Sequence, residues 1–215
     1  MAFDAYMMFQ PASGTVLKGE SQVVFDAKSD TLAQGKDPLQ TLTAGSVFEI
    51  DDFSFDIEQI LNIGSQSSGA GAGKVTFNPF QITRKTDKAS PIFFMMCCAG
   101  QHFSQVTLCL RRAGGGSGSS GGDATGGSAT ATMSSGTTFL RFDFALVAVK
   151  TISWSGSDGD ESPKEEVTFE YGALMVQYLQ QDVSGVGQGS AVAGSWNKVY
   201  NNNSYAQIAV QNKAS

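Results

Sequence analysis

The sequence predicts a mainly β protein: a small, curved, antiparallel β-barrel with one packed α-helix. Three observations carry this. First, apolar residues alternate with polar or small ones in Val106, Leu108 and Leu110, in Phe142, Phe144 and Leu146, and in Val167, Phe169 and Tyr171, the period-two pattern of half-buried strands. Second, the apolar face changes parity inside several of these segments, as strands do where they bulge or bend to curl a sheet. Third, only Ser90 to Gly100 carries the punctuation of a helix. The 215 residues suffice for one domain with a sizeable core, and we read residues 1–215 as that single domain.

Taken in order, MAFDAYMMF predicts an opening strand. An insertion over 22–46 follows, with Gly35-Lys36-Asp37-Pro38 as a turn. Phe48 and Ile50 then give way to Phe53, Phe55 and Ile57 across Asp51-Asp52, and Val75 and Phe77 to Phe80 and Ile82 across Asn78-Pro79. The glycines from Gly64 to Gly73 predict a projecting hairpin, whose missing side chains permit close backbone approach by a neighbour. Ser90 is the expected N-cap, Pro91 fits the first helical position, and Gly100 the left-handed position that ends the helix. Ile92 to Ala99 is apolar nearly throughout, which predicts a mostly buried helix packed against the barrel. Residues 114–138 are low-complexity Gly, Ser, Ala and Thr, too poor in apolar area to offset ordering entropy, and are expected to form a flexible loop between two strands. A strand from Val167 shifts face at Gly172-Ala173 towards Leu174, Val176 and Tyr178, and 180–215 forms a C-terminal tail.

Charge and motifs exclude several functions. A net charge of −6 argues against non-specific nucleic-acid binding, which needs clustered Lys and Arg. No apolar run approaches membrane-spanning length, and Asp4 interrupts any secretory leader. GAGAGK fails as a phosphate loop: Ser68 stands where the first Gly is needed, Val75 follows Lys74, and a strand pattern comes next. His102, the only histidine, and Cys97, Cys98 and Cys109 lack zinc-ligand spacing, and the cysteines are expected to be reduced core thiols. Asp51 and Asp52, and the group Asp158, Asp160, Glu161, Glu165 and Glu166 around a Gly-Ser-Pro turn, read as solvated turn carboxylates. Of Trp154 and Trp196, one is expected to be packed and the other to anchor the tail. No activated nucleophile or acid–base pair can be named, so we expect no enzyme, cofactor or metal.

Four blocks in order resemble the Hcp family, the tube proteins of type VI secretion systems. They are Lys18-Gly19-Glu20-Ser21 after the opening strand, AGKV with TRKTDKASP, LRRAGG at a strand end, and the run from Phe142 to Tyr178 with its Ser-Gly-Ser-Asp-Gly-Asp-Glu turn. Ser195-Trp196-Asn197 is similar to a family Gly-Trp-Asn element. The resemblance implies a tail-tube-like barrel assembling into homohexameric rings that stack inside a contractile sheath, below a spike protein, with effector proteins in the lumen. It implies a cytoplasmic protein before firing, then secreted without a cleaved signal, with no membrane insertion. By matching blocks, Gly64, Gly69, Gly71, Gly73 and Lys74 would reach an adjacent protomer, and Arg84, Lys85, Asp87 and Lys88 would form a charged edge that sets pairing register. Two other readings share the pattern: a tail-tube protein of a phage or other contractile particle, and a carbohydrate-binding β domain using Trp154, Trp196 and the carboxylates.

Overall fold

The computed structural model describes residues 3–12, 14–23, 32, 44–59, 74–112, 137–182 and 187–205. Ten strands and one helix follow in the order β1 (Phe3–Pro11), β2 (Phe48–Ile50), β3 (Asp52–Ser54), β4 (Ile57–Glu58), β5 (Thr76–Phe77), β6 (Phe80–Lys85), α1 (Ser90–Ala99), β7 (His102–Arg112), β8 (Thr138–Ser155), β9 (Lys164–Tyr178) and β10 (Val192–Asn197). The main sheet runs β2-β1-β7-β8-β9-β6-β3, antiparallel at every pairing.

Its two ends are consecutive in the chain, which closes the barrel. β2 pairs with β1, the chain breaks at Asp51, and β3 pairs with β6. The Asp51 amide donates to the Thr83 carbonyl at 2.9 Å. The parity change read across Asp51-Asp52 is therefore the point at which one segment passes from one barrel neighbour to the next. β9 is long enough to pair β6 over its first half and β10 over its second, so β10 continues the sheet beyond the closed ring.

Curvature comes from specific irregularities. The register shifts between Gln10 and Pro11, Leu110 and Arg111, and Val149 and Thr151. At Gly172 the bend is made without a register shift: Leu146 on β8 holds a positive φ of 52° and lies beside Gly172, where a Cβ would come within 3.3 Å of it. Glycine at 172 lets the two strands approach at this bend.

Phenylalanine fills the barrel. Phe9 lies 4.9 Å from Phe93 and 5.3 Å from both Phe48 and Phe103, while Phe80 stacks on Phe144 at 4.6 Å. Such pairs add about 0.5–1.5 kcal/mol each beyond the area they bury. Phe93 thus plugs the helix into the core.

The helix departs from expectation in two respects. Ser90 is its first residue and makes no side-chain cap; Asp87 caps instead, its Oδ1 accepting from the Ala89 amide at 2.8 Å and its carbonyl from the Ser90 amide at 3.0 Å. Nor is α1 mostly buried. Phe93 and Met96 face inward, whereas Pro91, Ile92, Phe94, Met95 and Cys98 are exposed. A ten-residue helix touching one barrel can bury only one stripe, however apolar the rest is. Gly100 ends it as expected, with φ 62° and ψ 25° in the left-handed region.

A second, smaller core lies on the outer face of the sheet. Tyr6, Met8, Val47 and Cys109 are buried together, with Val16 and Val23 against them. Segment 14–23 and the residues before β2 cover the outward side of β1 and β7 that alternation alone assigns to solvent. Of the 22–46 insertion, Gln22, Val23, Leu32 and 44–46 are described, and the turn read at Gly35 to Pro38 lies outside the described residues. So does 114–136 of the low-complexity segment; β8 already begins at Thr138.

Candidate functional site

Three of the sequence blocks, Lys18 to Ser21, the run from Arg84 to Pro91 and the Phe142 to Tyr178 run, meet at one end of the barrel around Arg84. This guanidinium was expected at a charged edge; instead it is 2% exposed. Its Nε donates to Glu165 Oε1 at 2.9 Å, and its Nη2 donates to Asp87 Oδ1 at 2.6 Å and to Ser90 Oγ at 3.1 Å. The rings of Phe48 and Phe93 flank it, each centroid 5.1 Å from Cζ. β9, β2, α1 and the turn before α1 each supply a partner, so one cation on β6 ties four elements of the chain together with its own strand. A buried guanidinium needs this many partners because removing a charge from water costs several kcal/mol (roughly) unless it is paired and hydrogen-bonded.

The Lys18-Gly19-Glu20-Ser21 block docks on the same junction. Glu20 accepts at Oε1 from the Lys88 amide at 3.2 Å, and its own amide donates to Asp87 Oδ2 at 3.3 Å. Gly19 makes this fit possible. A Cβ there would collide with Asp87 Oδ2 and lie 2.6 Å from the Phe48 ring. A groove of about 770 Å³ opens beside the junction, bordered by Glu20, Glu49, Asp51, Lys85 and Thr86 among others.

Other predicted positions separate into groups. Gly64, Gly69, Gly71 and Gly73 lie outside the described residues; the strands flanking that segment, β4 and β5, pair antiparallel, and Lys74 is exposed. Lys85 and Lys88 are exposed, with Lys85 Nζ 3.6 Å from Glu161. Glu165 is not a solvated turn carboxylate: it is fully buried, giving Oε1 to Arg84 and Oε2 to Trp154 Nε1 at 2.8 Å. Asp158, Asp160, Glu161 and Glu166 do face solvent around the turn between β8 and β9. Of the three thiols only Cys109 is buried; Cys97 is half-buried and Cys98 exposed. His102 is half-buried at the start of β7. No group of three metal-ligating side chains is found among the described residues. Trp154 and Trp196 are both partly exposed, the first tethered to Glu165 and the second on β10.

Sequence reasoning missed a polar cluster on the outer face. Asp143 is fully buried and accepts from Thr107 Oγ1 at 2.7 Å, Arg141 Nη2 at 2.8 Å, Gln105 Nε2 at 3.2 Å and Gln177 Nε2 at 3.3 Å. Arg141 Nη1 also donates to the Leu32 carbonyl at 2.6 Å, fixing part of the insertion to the barrel. The available signal was five polar residues on one face of three adjacent strands, Gln105 and Thr107, Arg141 and Asp143, and Gln177. That pattern is the same whether the face is wet or covered.

The described residues form a barrel plugged by one helix, with Arg84 and its partners spent on an internal junction. Comparison with known proteins gives the family. The family model for the type VI secretion system effector Hcp matches residues 44–178, and the chain belongs to the Hcp family. The chain is 30% identical over 124 residues to protein hcp1 of Pseudomonas aeruginosa, covering 58% of this chain and 65%, just under two thirds, of that relative. Among solved structures, a type six secretion system protein superposes with a TM-score of 0.65 at 20% identity, covering 94% of this chain and all of the other. Hcp1 from Salmonella typhimurium gives 0.56 at 18%, covering 95% and all, respectively. These likenesses bear out the antiparallel barrel with one helix. Among the described residues no helix is long and apolar enough to cross a membrane.

Proposed function

We propose that this chain is an inner-tube subunit of a type VI secretion system, forming hexameric rings that stack into a tube. Sheath contraction would propel that tube, with the spike protein at its tip and effector proteins in its lumen. In this reading the protein works mechanically and by recognition, without catalysis. It stays in the cytoplasm until firing and is then released outside the cell.

The observation that carries the reading beyond family membership is the uncovered apolar surface of an otherwise closed barrel. Large hydrophobic side chains stand exposed on α1, on the end of β8 and along β10. Exposed apolar faces of this kind mark association surfaces. A ring in turn needs one face of each copy to meet a different face of the next. We further assign Gly64–Lys74 to contact with a neighbouring copy, together with the exposed Lys85 and Lys88. Negative-stain electron microscopy with light scattering tests the proposal. Sixfold rings with the mass of six chains are expected, and a stable monomer at micromolar concentration overturns it.

A further inference from the structure

The two exposed apolar faces differ in shape, and their shapes correspond. On α1, Pro91, Phe94, Met95 and Cys98 follow one another at helical spacing along the outward side. Phe94 is 48% and Met95 65% exposed, and Trp154, 49% exposed, extends the ridge with its ring 6.2 Å from that of Phe94. The helix SPIFFMMCCA contains no charged residue. A helix apolar all round belongs in a buried position, yet half of this one faces outward.

The second face is on β10 and the end of β9. Val192 pairs with Tyr178 and Trp196 with Leu174, so Val192, Gly194 and Trp196 project from one side of the strand. Val192 is 72%, Tyr178 45% and Trp196 38% exposed. Between Val192 and Trp196 stands Gly194, where a Cβ would meet no atom of the described residues within 4 Å. The result is an open notch between two apolar side chains whose Cα atoms are about 13 Å apart, which leaves room for one or two side chains projecting from a helix ridge.

We propose that the outward face of α1 in one copy, Phe94, Met95 and Trp154, seats in the Gly194 notch of β10 in the next copy. This deepens the assembly reading above and rests on it. The areas support a second copy as the occupant. Each face offers roughly 300 Å² of apolar surface, at the scale of the largest patch on an ordinary monomer. Joined, they supply about 600 Å², most of the apolar part of a standard interface of about 1,600 Å². The faces lie at opposite ends of the β8–β9 ribbon, Trp154 beside Glu165 and Trp196 beside Leu174. One copy therefore cannot satisfy its own pair, and the contact is head-to-tail, as a growing assembly requires.

Two substitutions test this without touching the core. Met95→Glu puts a charge on the ridge, and Gly194→Trp fills the notch. Circular dichroism checks that each stays folded, and light scattering reads assembly. Each variant alone should assemble with a dissociation constant raised about 30- to 100-fold. Mixed in equal amounts, they should form a species of two chains and no more, because only one intact pair of faces remains. A second readout needs no new side chain on the helix: Cys98 lies on the ridge, so its labelling by a thiol reagent should be slow in the assembled wild type and fast in Gly194→Trp. Wild-type-like assembly of both variants, or unchanged Cys98 labelling, overturns the contact while leaving the tube reading in place. A monomeric wild type overturns that reading itself.

Discussion

Replacing Arg84 by alanine removes the cation on which one end of the barrel is organised. Arg84 holds the fully buried Glu165 at 2.9 Å and Asp87 at 2.6 Å and lies between Phe48 and Phe93. Without it Glu165 keeps, among the described residues, the Trp154 Nε1 donor alone, and its charge is left uncompensated in a buried place. Breaking a buried pair in this way costs about 3–5 kcal/mol. Against a total stability of about 5–15 kcal/mol this is a large fraction. For a domain of this size it lowers the melting temperature by roughly 6–20 °C. Lys85→Ala, one residue along, is the control: Lys85 and Glu161 are 65% and 89% exposed and 3.6 Å apart, a pair expected to contribute less than about 1 kcal/mol. Urea unfolding of both variants measures the contrast. Arg84→Met with Glu165→Gln should recover part of the loss, since the orphaned charge is then absent. An Arg84→Ala loss no larger than that of Lys85→Ala would refute the argument that this guanidinium is an internal tie.

Two further predictions concern single groups. Gly19→Ala forces a Cβ against Asp87 Oδ2 and the Phe48 ring, and overpacking of this kind should cost about 1–3 kcal/mol by urea unfolding. Among the described residues the buried Tyr171 hydroxyl has no hydrogen-bond partner, and burial, with Asp56 and Glu170 nearby, pushes its pKa well above the ordinary 10.0. Above pH 10 the unfolded chain therefore releases a proton that the folded chain retains, so this group's contribution to stability falls as pH rises, by up to about 1.4 kcal/mol per unit. Tyr171→Phe keeps the stack on Phe77 at 5.1 Å and should lose less stability than wild type between pH 10 and 11.

Strand alternation made most of the barrel legible. Val106 and Leu108, and Val167 and Phe169, are buried as their spacing indicates. The shift at Asp51-Asp52 marked the place where the sheet closes, because a segment that changes neighbours must also change which side faces the core. Arg84 was harder, since the rings that enclose it come from positions 48 and 93, and a local window around TRKTDKASP shows only a charged run. Asp143 and Arg141 escaped for the related reason that alternation separates two faces of a strand but not a wet face from a covered one. The helix erred in the opposite direction. Continuous apolar composition indicates that a face is covered, but not whether its own chain or another covers it.

That last ambiguity bears on how copies of this protein meet. Closure through Asp51 consumes the edges of β1 and β6 that an open sheet would offer to a neighbour. Among the described residues β10 pairs along its length with β9, and its other edge is bridged at the end, where Asn197 pairs with Asn202. An open strand edge pairs with little regard for side chains, the property that makes exposed edges an aggregation hazard. Ordered association needs selectivity, and here the side chains of β10 supply a means: Val192 and Trp196 flank a notch that accepts a ridge and excludes a flat strand face. Contact through that face, with the edge left to short range and six residues of length, would confine association to partners presenting an apolar helix at the right height. Gly194→Trp separates the two modes, because it obstructs the face and leaves the backbone of the edge free to pair.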